Sequence, residues 1–63
     1  MYRNLEMIRK IKGLTINDMA TIISKSPATY YKKENGMVSI TVKEALLIAY
    51  RLNSTVEFLF TEK

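Results

Sequence analysis

Hydrophobic residues recur along this chain at steps of three and four, which is the period of an amphipathic α-helix. The pattern is clearest in three segments. Their recurring apolar positions are Leu5, Ile8 and Ile11; Ile16, Met19, Ala20 and Ile23; and Ala45, Ile48, Ala49 and Leu52. No comparably long stretch alternates apolar and polar residues as a half-buried strand would. The pattern therefore predicts an all-α fold.

Capping residues indicate where these helices begin and end. In a capping box, a hydroxyl accepts a hydrogen bond from the third helical N–H and an acidic side chain bonds back to the cap. The pairs with this spacing are Thr15 with Asp18, Thr41 with Glu44, and Ser54 with Glu57. Ser26 followed by Pro27 is typical of an N-cap with proline at the first helical position. Gly13 and Gly36 suit helix ends that need a positive φ.

Together these signals predict a compact domain of five helices, at about residues 4–12, 15–23, 26–34, 41–52 and 55–60. The last segment contains VEFLF, which is compatible with a strand as well as with a helix. Residues 36–40 are predicted to form a loop whose apolar side chains cover the core.

Composition limits the class of protein. The chain has 63 residues, 48% of them hydrophobic, with no Cys and no His. This length suits one domain, residues 1–63, and the missing residue types remove disulfides, the usual zinc ligands and most nucleophile–base pairs. We therefore expect no metal, no cofactor and no enzymatic activity. No apolar run is long enough to span a membrane and the N-terminus lacks a signal-peptide pattern, so a cytoplasmic location is expected.

The net charge of +4 is unevenly distributed along the chain. Residues 1–36 contain seven Lys and Arg against three Asp and Glu, whereas residues 37–63 contain three of each. A positive surface attracts polyanions such as nucleic acid and accelerates encounter with them. The simpler alternative is a modestly basic surface that only keeps the protein soluble.

Residues 15–36 combine this basic half with a helix-turn-helix arrangement. The turn between the second and third predicted helices needs only residues 24–26, which forces a steep crossing and leaves the third helix projecting. Such a helix fits the major groove of B-DNA, about 12 Å wide, with its N-terminal residues nearest the base edges. Tyr30 and Lys33 share one face of this helix, and Tyr30 is the predicted core residue.

The opposite face of the third helix carries the candidate base-reading residues, which are Pro27, Ala28, Tyr31 and Lys32. Lys32 can donate to guanine O6 or N7, or can meet a phosphate. Pro27 and Ala28 can pack against a thymine methyl group, and Tyr31 can span a base edge and a phosphate. The alternative interpretation is that these residues only form a solvated face.

Twelve residues reproduce the spacing of a known family. They are Arg9, Gly13, Leu14, Thr15, Met19, Ala20, Ser26, Glu34, Asn35, Gly36, Ala49 and Leu52. Through them the chain resembles the Xre/Cro-type helix-turn-helix family of phage repressors and bacterial regulators, from about residue 5 to residue 60. The resemblance implies a lambda-repressor-like DNA-binding domain that regulates transcription, most simply a repressor that occludes a promoter.

The resemblance also implies roles for single residues. Arg9 and Glu34 match positions where family members form an internal ion pair. The candidate contacts to DNA phosphate are Thr15, Ser26, Thr29, Asn35, Lys10, Lys12 and Lys25. Three positions depart from the family pattern, because Ile16 stands where a Gln is common and Lys25 and Lys33 stand where apolar residues are common. The stems of these lysines can lie along the core while their amines reach solvent or phosphate.

The resemblance implies a homodimer on an operator with inverted half-sites, whose centres lie about 34 Å apart. The candidate interface residues are Leu47, Tyr50, Phe58 and Phe60. So small a domain cannot bury all four, although two can cover its core and the others can be incidental. The competing hypothesis is a protein-interaction module, such as the antitoxin of a toxin pair, that uses this fold to bind a protein partner. No small-molecule ligand is expected.

Overall fold

The computed structural model describes residues 1–61, which contain five α-helices. The helices are α1 (Arg3–Ile11), α2 (Ile16–Ile23), α3 (Pro27–Glu34), α4 (Val42–Arg51) and α5 (Val56–Leu59). The residues described contain no strand, so the all-α prediction is confirmed, and residues 55–60 contain a helix. Each predicted helix limit lies within one residue of the observed limit.

The first two predicted capping boxes are present. Thr15 Oγ1 accepts a hydrogen bond from Asp18 N at 3.1 Å, and the Asp18 carboxylate accepts one from Thr15 N at 2.8 Å. Thr41 and Glu44 form the same reciprocal pair at the start of α4. Each pair satisfies two N–H groups that have no partner inside the helix.

The third predicted capping box, Ser54 with Glu57, is wrong. Thr55 caps α5 instead, through a hydrogen bond that its Oγ1 accepts from Phe58 N at 3.1 Å. The reason lies in the preceding helix, because Ser54 N donates to Ala49 O at 2.9 Å and so completes the end of α4. The new helix therefore begins one residue later than the spacing predicts.

The core is a single cluster drawn from all five helices. Its buried hydrophobic members are Leu5, Met19, Ala20, Ile23, Tyr30, Ile48, Ala49, Leu52 and Leu59. The short α5 packs against both α1 and α4, and α2 packs against α3 and α4. The arrangement leaves α3 in contact with the body mainly through α2 and through its own long side chains.

Residues 36–40 cover the core less than predicted. Ile40 packs against the buried cluster, but Met37 is 66% exposed and Val38 is 40% exposed. The chain leaves α3 through Gly36, whose φ of 79° agrees with the predicted positive value. The loop then runs over the surface, so only its last residue points into the apolar interior.

Candidate nucleic-acid interface

The connection between α2 and α3 consists of residues 24–26, as predicted. Ser24 ends α2 in the left-handed conformation, with φ of 58°. Ser26 then caps α3, because its Oγ accepts from Thr29 N at 3.2 Å and donates to Thr29 Oγ1 at 2.9 Å. Pro27 occupies the first helical position, where its missing N–H costs no hydrogen bond.

The two faces of α3 differ in exposure as the sequence predicts. Tyr30, Lys33 and Glu34 are buried, and Tyr30 has no measurable exposure. The outward side chains are Pro27, Ala28, Tyr31 and Lys32, all of which are exposed. A methyl-bearing, a phenolic and an ammonium group therefore lie together on one surface of the projecting helix.

Arg9 and Glu34 form the ion pair that the resemblance implies. Arg9 Nε lies 2.9 Å from Glu34 Oε1, and Arg9 Nη2 lies 3.1 Å from Glu34 Oε2, so the contact is bidentate. Arg9 Nη1 also donates to Leu14 O at 3.0 Å, and Tyr30 Oη donates to Glu34 Oε1 at 2.7 Å. The network joins α1 and α3 below the outward surface.

The pKa shifts in this network favour a charged Arg9 and a neutral Tyr30. The hydrogen bond to Glu34 raises the pKa of the Arg9 guanidinium, although burial opposes the shift. Burial, reinforced by the hydrogen bond to Glu34, raises the pKa of Tyr30 far above its ordinary value. Tyr30 therefore stays neutral, and its hydroxyl remains a hydrogen-bond donor to Glu34 Oε1.

Lys33 does not present its amine to solvent or phosphate, which corrects the sequence-based prediction. Its Nζ lies 3.0 Å from Glu44 Oε1 and donates to Ser39 O at 2.8 Å. Both members of the ion pair are buried, with residue exposures of 6% each. The acidic partner comes from the start of α4, a contact distant in sequence that helical spacing alone does not reveal.

Lys25 also departs from its prediction, because it is exposed rather than packed along the core edge. It lines a depression between the end of α2 and the start of α4, together with Ser24, Thr41 and Lys43. Lys43 is exposed and was not singled out from the sequence. Its spacing of four residues from Leu47 places the two side chains on the same side of α4. Its proximity to Lys25, however, depends on how α2 and α4 pack together.

The remaining phosphate candidates lie at or near the surface. Lys10, Lys12, Thr15 and Ser26 are exposed, whereas Thr29 and Asn35 are partly buried. Lys10 forms a solvent-exposed ion pair with Glu6 at 3.2 Å, and the Asn35 amide donates to Tyr31 O at 2.9 Å. Exposed pairs of this kind contribute little and exchange readily, so Lys10 stays available to another anion.

The buried ion pairs reduce the positive charge that faces solvent. Within residues 1–36, Arg9 is neutralised by Glu34, and Lys33 is neutralised from the other half of the chain. The other charged side chains of this half are Arg3, Lys10, Lys12, Lys25 and Lys32 against Glu6 and Asp18, an excess of three positive charges. The basic surface remains, but it is weaker than the sequence suggests.

The candidate dimer residues are not equally accessible. Tyr50 is 87% exposed, and Leu47 and Phe58 are exposed as well. Phe60 is only partly buried yet packs against the core, with its ring edge-on to that of Tyr2 at a centroid distance of 5.2 Å. Three of the four residues thus offer apolar surface, and Phe60 mainly closes the domain.

Two exposed apolar residues on α4 were missed in the sequence. Val42 and Leu46 lie eight and four positions before Tyr50 and are 78% and 59% exposed. Spacing of four predicts a shared face opposite the buried residues of this helix, so the signal was present. Beside them is an apolar groove of about 330 Å³, lined also by Tyr2, Ile40, Thr41, Ala45, Val56 and Phe60.

Other kinds of site are not found in the described part of the chain. Residues 1–61 hold no group of three or more His, Cys, Asp or Glu that could bind a metal ion. None of the five helices is both long and apolar enough to cross a lipid bilayer.

Comparison with known proteins agrees with this geometry. A family model described as helix-turn-helix matches residues 5–59, which covers α2, the turn, α3 and the packing helices around them. No curated protein and no solved structure matches the chain. The chain belongs to the Xre/lambda-repressor-like helix-turn-helix family of DNA-binding regulators.

Proposed function

We propose that this protein is a sequence-specific regulator of transcription, acting as a repressor, that inserts α3 into the major groove of an operator. The observation that carries the proposal is the division of α3 into a buried face and an outward face of four exposed residues. A helix that packs against the domain by one face and exposes its opposite face to solvent can enter a groove about 12 Å wide.

The proposed base contacts are Pro27, Ala28, Tyr31 and Lys32. Only Tyr31 and Lys32 carry polar groups, so few direct hydrogen bonds to bases are available. Pro27 and Ala28 lie in the first turn, which approaches base edges most closely, and they suit the methyl group of thymine. We infer that target choice relies on methyl contacts and on DNA shape more than on hydrogen-bond readout.

The proposed phosphate contacts come from the end of α1, the start of α2, the turn and α3. Lys10, Lys12 and Lys25 supply charge, while Thr15, Ser26, Thr29 and Asn35 supply polar groups near the starts of α2 and α3 and the end of α3. The Thr15 hydroxyl accepts a cap hydrogen bond and keeps its own proton to donate to a phosphate oxygen, whereas the Ser26 hydroxyl, which donates to Thr29 Oγ1, would have to turn its proton toward the phosphate. These contacts orient the protein on the duplex without selecting a sequence.

Repression requires occupancy of a defined site, and we propose that a homodimer provides it on inverted half-sites. Leu47, Tyr50 and Phe58 supply exposed apolar surface for the interface, and the partly buried Phe60 is the fourth proposed contact. Exposed apolar patches on a small domain commonly mark an interaction surface. A dimer bound over a promoter would block polymerase without any further domain.

The test begins with selection of bound sequences from random duplexes. An operator with two inverted half-sites about 34 Å apart is the expected product. Binding to that operator and to random duplex is then measured at several salt concentrations, where each neutralised phosphate contributes a log–log slope of about −0.9. No enrichment, together with a flat salt response, would contradict the proposal.

The apolar groove between α4 and α5 supports a second candidate function. Its lining residues are hydrophobic apart from Thr41 and include the exposed Val42 and Leu46. A protein-interaction module, such as an antitoxin that binds its toxin, would use such a surface and leave the basic face without a role. The flat salt response described above is the outcome that favours this alternative.

A further inference from the structure

The last turn of α3 is attached to two different helices by consecutive residues. Glu34 pairs with Arg9 on α1, and Lys33 pairs with Glu44 on α4. The backbone of α3 packs closely against α2 but not to a similar extent against α1 or α4. Besides the backbone hydrogen bond from Tyr2 N, at the start of α1, to Glu34 O at 3.0 Å, side-chain ion pairs connect this end of α3 to those two helices.

The lysine contact is part of a larger network at the start of α4. Lys33 Nζ also donates to Ser39 O at 2.8 Å, so it ties the loop after α3 to the helix itself. Glu44 Oε1 accepts from Thr41 N at 3.1 Å in addition to the lysine contact. The end of α3, the loop and the cap of α4 thus share one lysine and one carboxylate.

Stability alone does not account for this arrangement. Lys33 and Glu44 are 6% exposed, so both charges lose most of their hydration when the protein folds. The attraction within a buried ion pair often only offsets that loss, and an apolar pair of similar volume is commonly as stable or more so. What an ion pair adds over an apolar contact is a defined direction and distance between the two groups.

We propose that the Lys33–Glu44 pair positions the recognition helix for sequence-specific binding, and that Lys33 itself contacts no DNA. The proposal rests on the function proposed above. Lys33 follows Lys32 directly and lies two residues from Tyr31, so a shift of this turn moves both polar base-reading groups. A recognition site works only when its side chains are held within about 0.5 Å and 10–20° of the productive geometry.

The test is a double-mutant cycle of Lys33→Met, Glu44→Gln and the double variant. Methionine keeps an unbranched stem without charge, and glutamine keeps an oxygen that can accept from Thr41 N. The quantity compared is the specificity ratio, defined as Kd for random duplex divided by Kd for the selected operator, measured well below the melting temperature. Stability is measured separately by urea unfolding, so that a folding defect is not read as a binding defect.

We expect each single variant to lower the specificity ratio by about tenfold, and the double variant to lower it no further, because both remove one interaction. Affinity for random duplex and the salt slope should stay at wild-type values, since neither residue meets a phosphate. The matched control is Lys25→Met, an exposed lysine with the same charge change. That variant should reduce binding to operator and random duplex in parallel and make the salt slope smaller by about 0.9.

Three outcomes would overturn the proposal. A Lys33→Met variant that behaves like Lys25→Met would show that Lys33 meets phosphate, and an unchanged ratio in all variants would leave the pair a purely structural role. If the specificity ratio of the double variant fell by the product of the two single effects, the two residues would act independently. If Lys33→Met does not fold, the ratio of Glu44→Gln decides between the same alternatives. Failure of the wild-type protein to discriminate operator from random duplex would instead remove the proposed function, and this proposal with it.

Discussion

Adjacent lysines on α3 have opposite environments. Lys32 is exposed on the outward face, whereas Lys33 is buried and paired with Glu44. Rotation by about 100° per residue places neighbours on different sides of a helix, so identical side chains take different roles. A similar contrast separates Glu34, buried with Arg9, from Glu6, which pairs with Lys10 near the surface.

Replacing Lys32 tests its role at the interface. If its amine bonds a base, Lys32→Ala should weaken operator binding by about 1–3 kcal/mol and relax specificity at one position. If its amine meets phosphate, binding to all duplexes should weaken alike and the magnitude of the salt slope should fall by about one. Fluorescence anisotropy with operator and random duplex separates the two cases. Unchanged binding to both duplexes would exclude Lys32 from the interface.

Removing the Glu34 carboxylate should destabilise the protein strongly. Glu34→Ala leaves the Arg9 guanidinium buried without its partner and removes the acceptor of Tyr30 Oη, which should cost about 3–5 kcal/mol. The control Glu6→Ala removes an equal charge from a surface pair and should cost about 0–1 kcal/mol. Thermal unfolding measures both. If the two variants melt alike, the buried pair has no structural role of its own.

At the scale of elements, local sequence signals determine where the helices lie. The hydroxyl caps at Thr15, Ser26 and Thr41 bond to N–H groups three residues ahead, so the information needed to start these helices is contained in four consecutive residues. Helix ends are less well encoded, because Ser24 and Asn53 take positive φ values that their residue types only tolerate. Ser54 does not cap α5, because its N–H completes the end of α4 by donating to Ala49 O.

The capping carboxylates give the protein an acid-sensitive stability. Burial raises the pKa of Glu44, but the hydrogen bond from Thr41 N and the ion pair with Lys33 outweigh it, and the pKa lies below its ordinary value of 4.5. Hydrogen bonds from Thr15 lower the pKa of Asp18 below 3.8. Because both folded-state values are depressed, the stabilisation is complete above about pH 5 and is lost as pH falls through the folded-state pKa values.

Urea unfolding between pH 6 and pH 3 checks this prediction. The unfolding midpoint should fall toward acid in the wild type, and the fall should be smaller in Glu44→Gln, which has no carboxylate to protonate at this cap. Glu57→Gln removes an exposed carboxylate of the same charge and serves as the control. A Glu44→Gln curve parallel to that of the wild type would contradict the assignment.

At the scale of the whole molecule, exposed basic side chains lie at the end of α1, in the turn and on α3, and a row of exposed apolar side chains lies on α4. This row includes Val42, Leu46 and Tyr50, which follow one another at intervals of four residues. Exposed apolar area of this kind is unfavourable in water and is normally covered by a partner. This arrangement supports the proposed binding of DNA by one part of the surface and of a second copy of the chain by another.

The proposed dimer predicts that replacing Tyr50 weakens association of the two chains without destabilising the monomer. Tyr50→Ser should leave monomer stability within about 0.5 kcal/mol, since the side chain is 87% exposed, but weaken association by about 2 kcal/mol or more. Sedimentation equilibrium measures the dimer dissociation constant. Affinity is also compared for duplexes with one and with two half-sites, because the variant should lose affinity only for the two-site operator. Ile11→Ser, which removes an apolar side chain 71% exposed on α1, is the control. A wild-type protein that stays monomeric at high concentration and on DNA would contradict the dimer.

The amino-acid sequence by itself determined the helices, their caps at the first three hydroxyl positions, the short turn and the outward face of α3. These features depend on residues within four positions of one another, where periodicity and capping chemistry act directly. The Arg9–Glu34 ion pair was predicted only from the resemblance to a family, since the two residues are far apart in the chain.

Only the tertiary structure decided which charged and apolar residues are exposed to solvent. Packing brings Glu44 to Lys33 and removes that lysine from the basic surface, while Lys25 stays outside. Packing likewise seats Phe60 against Tyr2 and leaves Val42 uncovered. Burial and ion pairing depend on how separate helices meet, and a helical pattern specifies only which side of each helix is apolar.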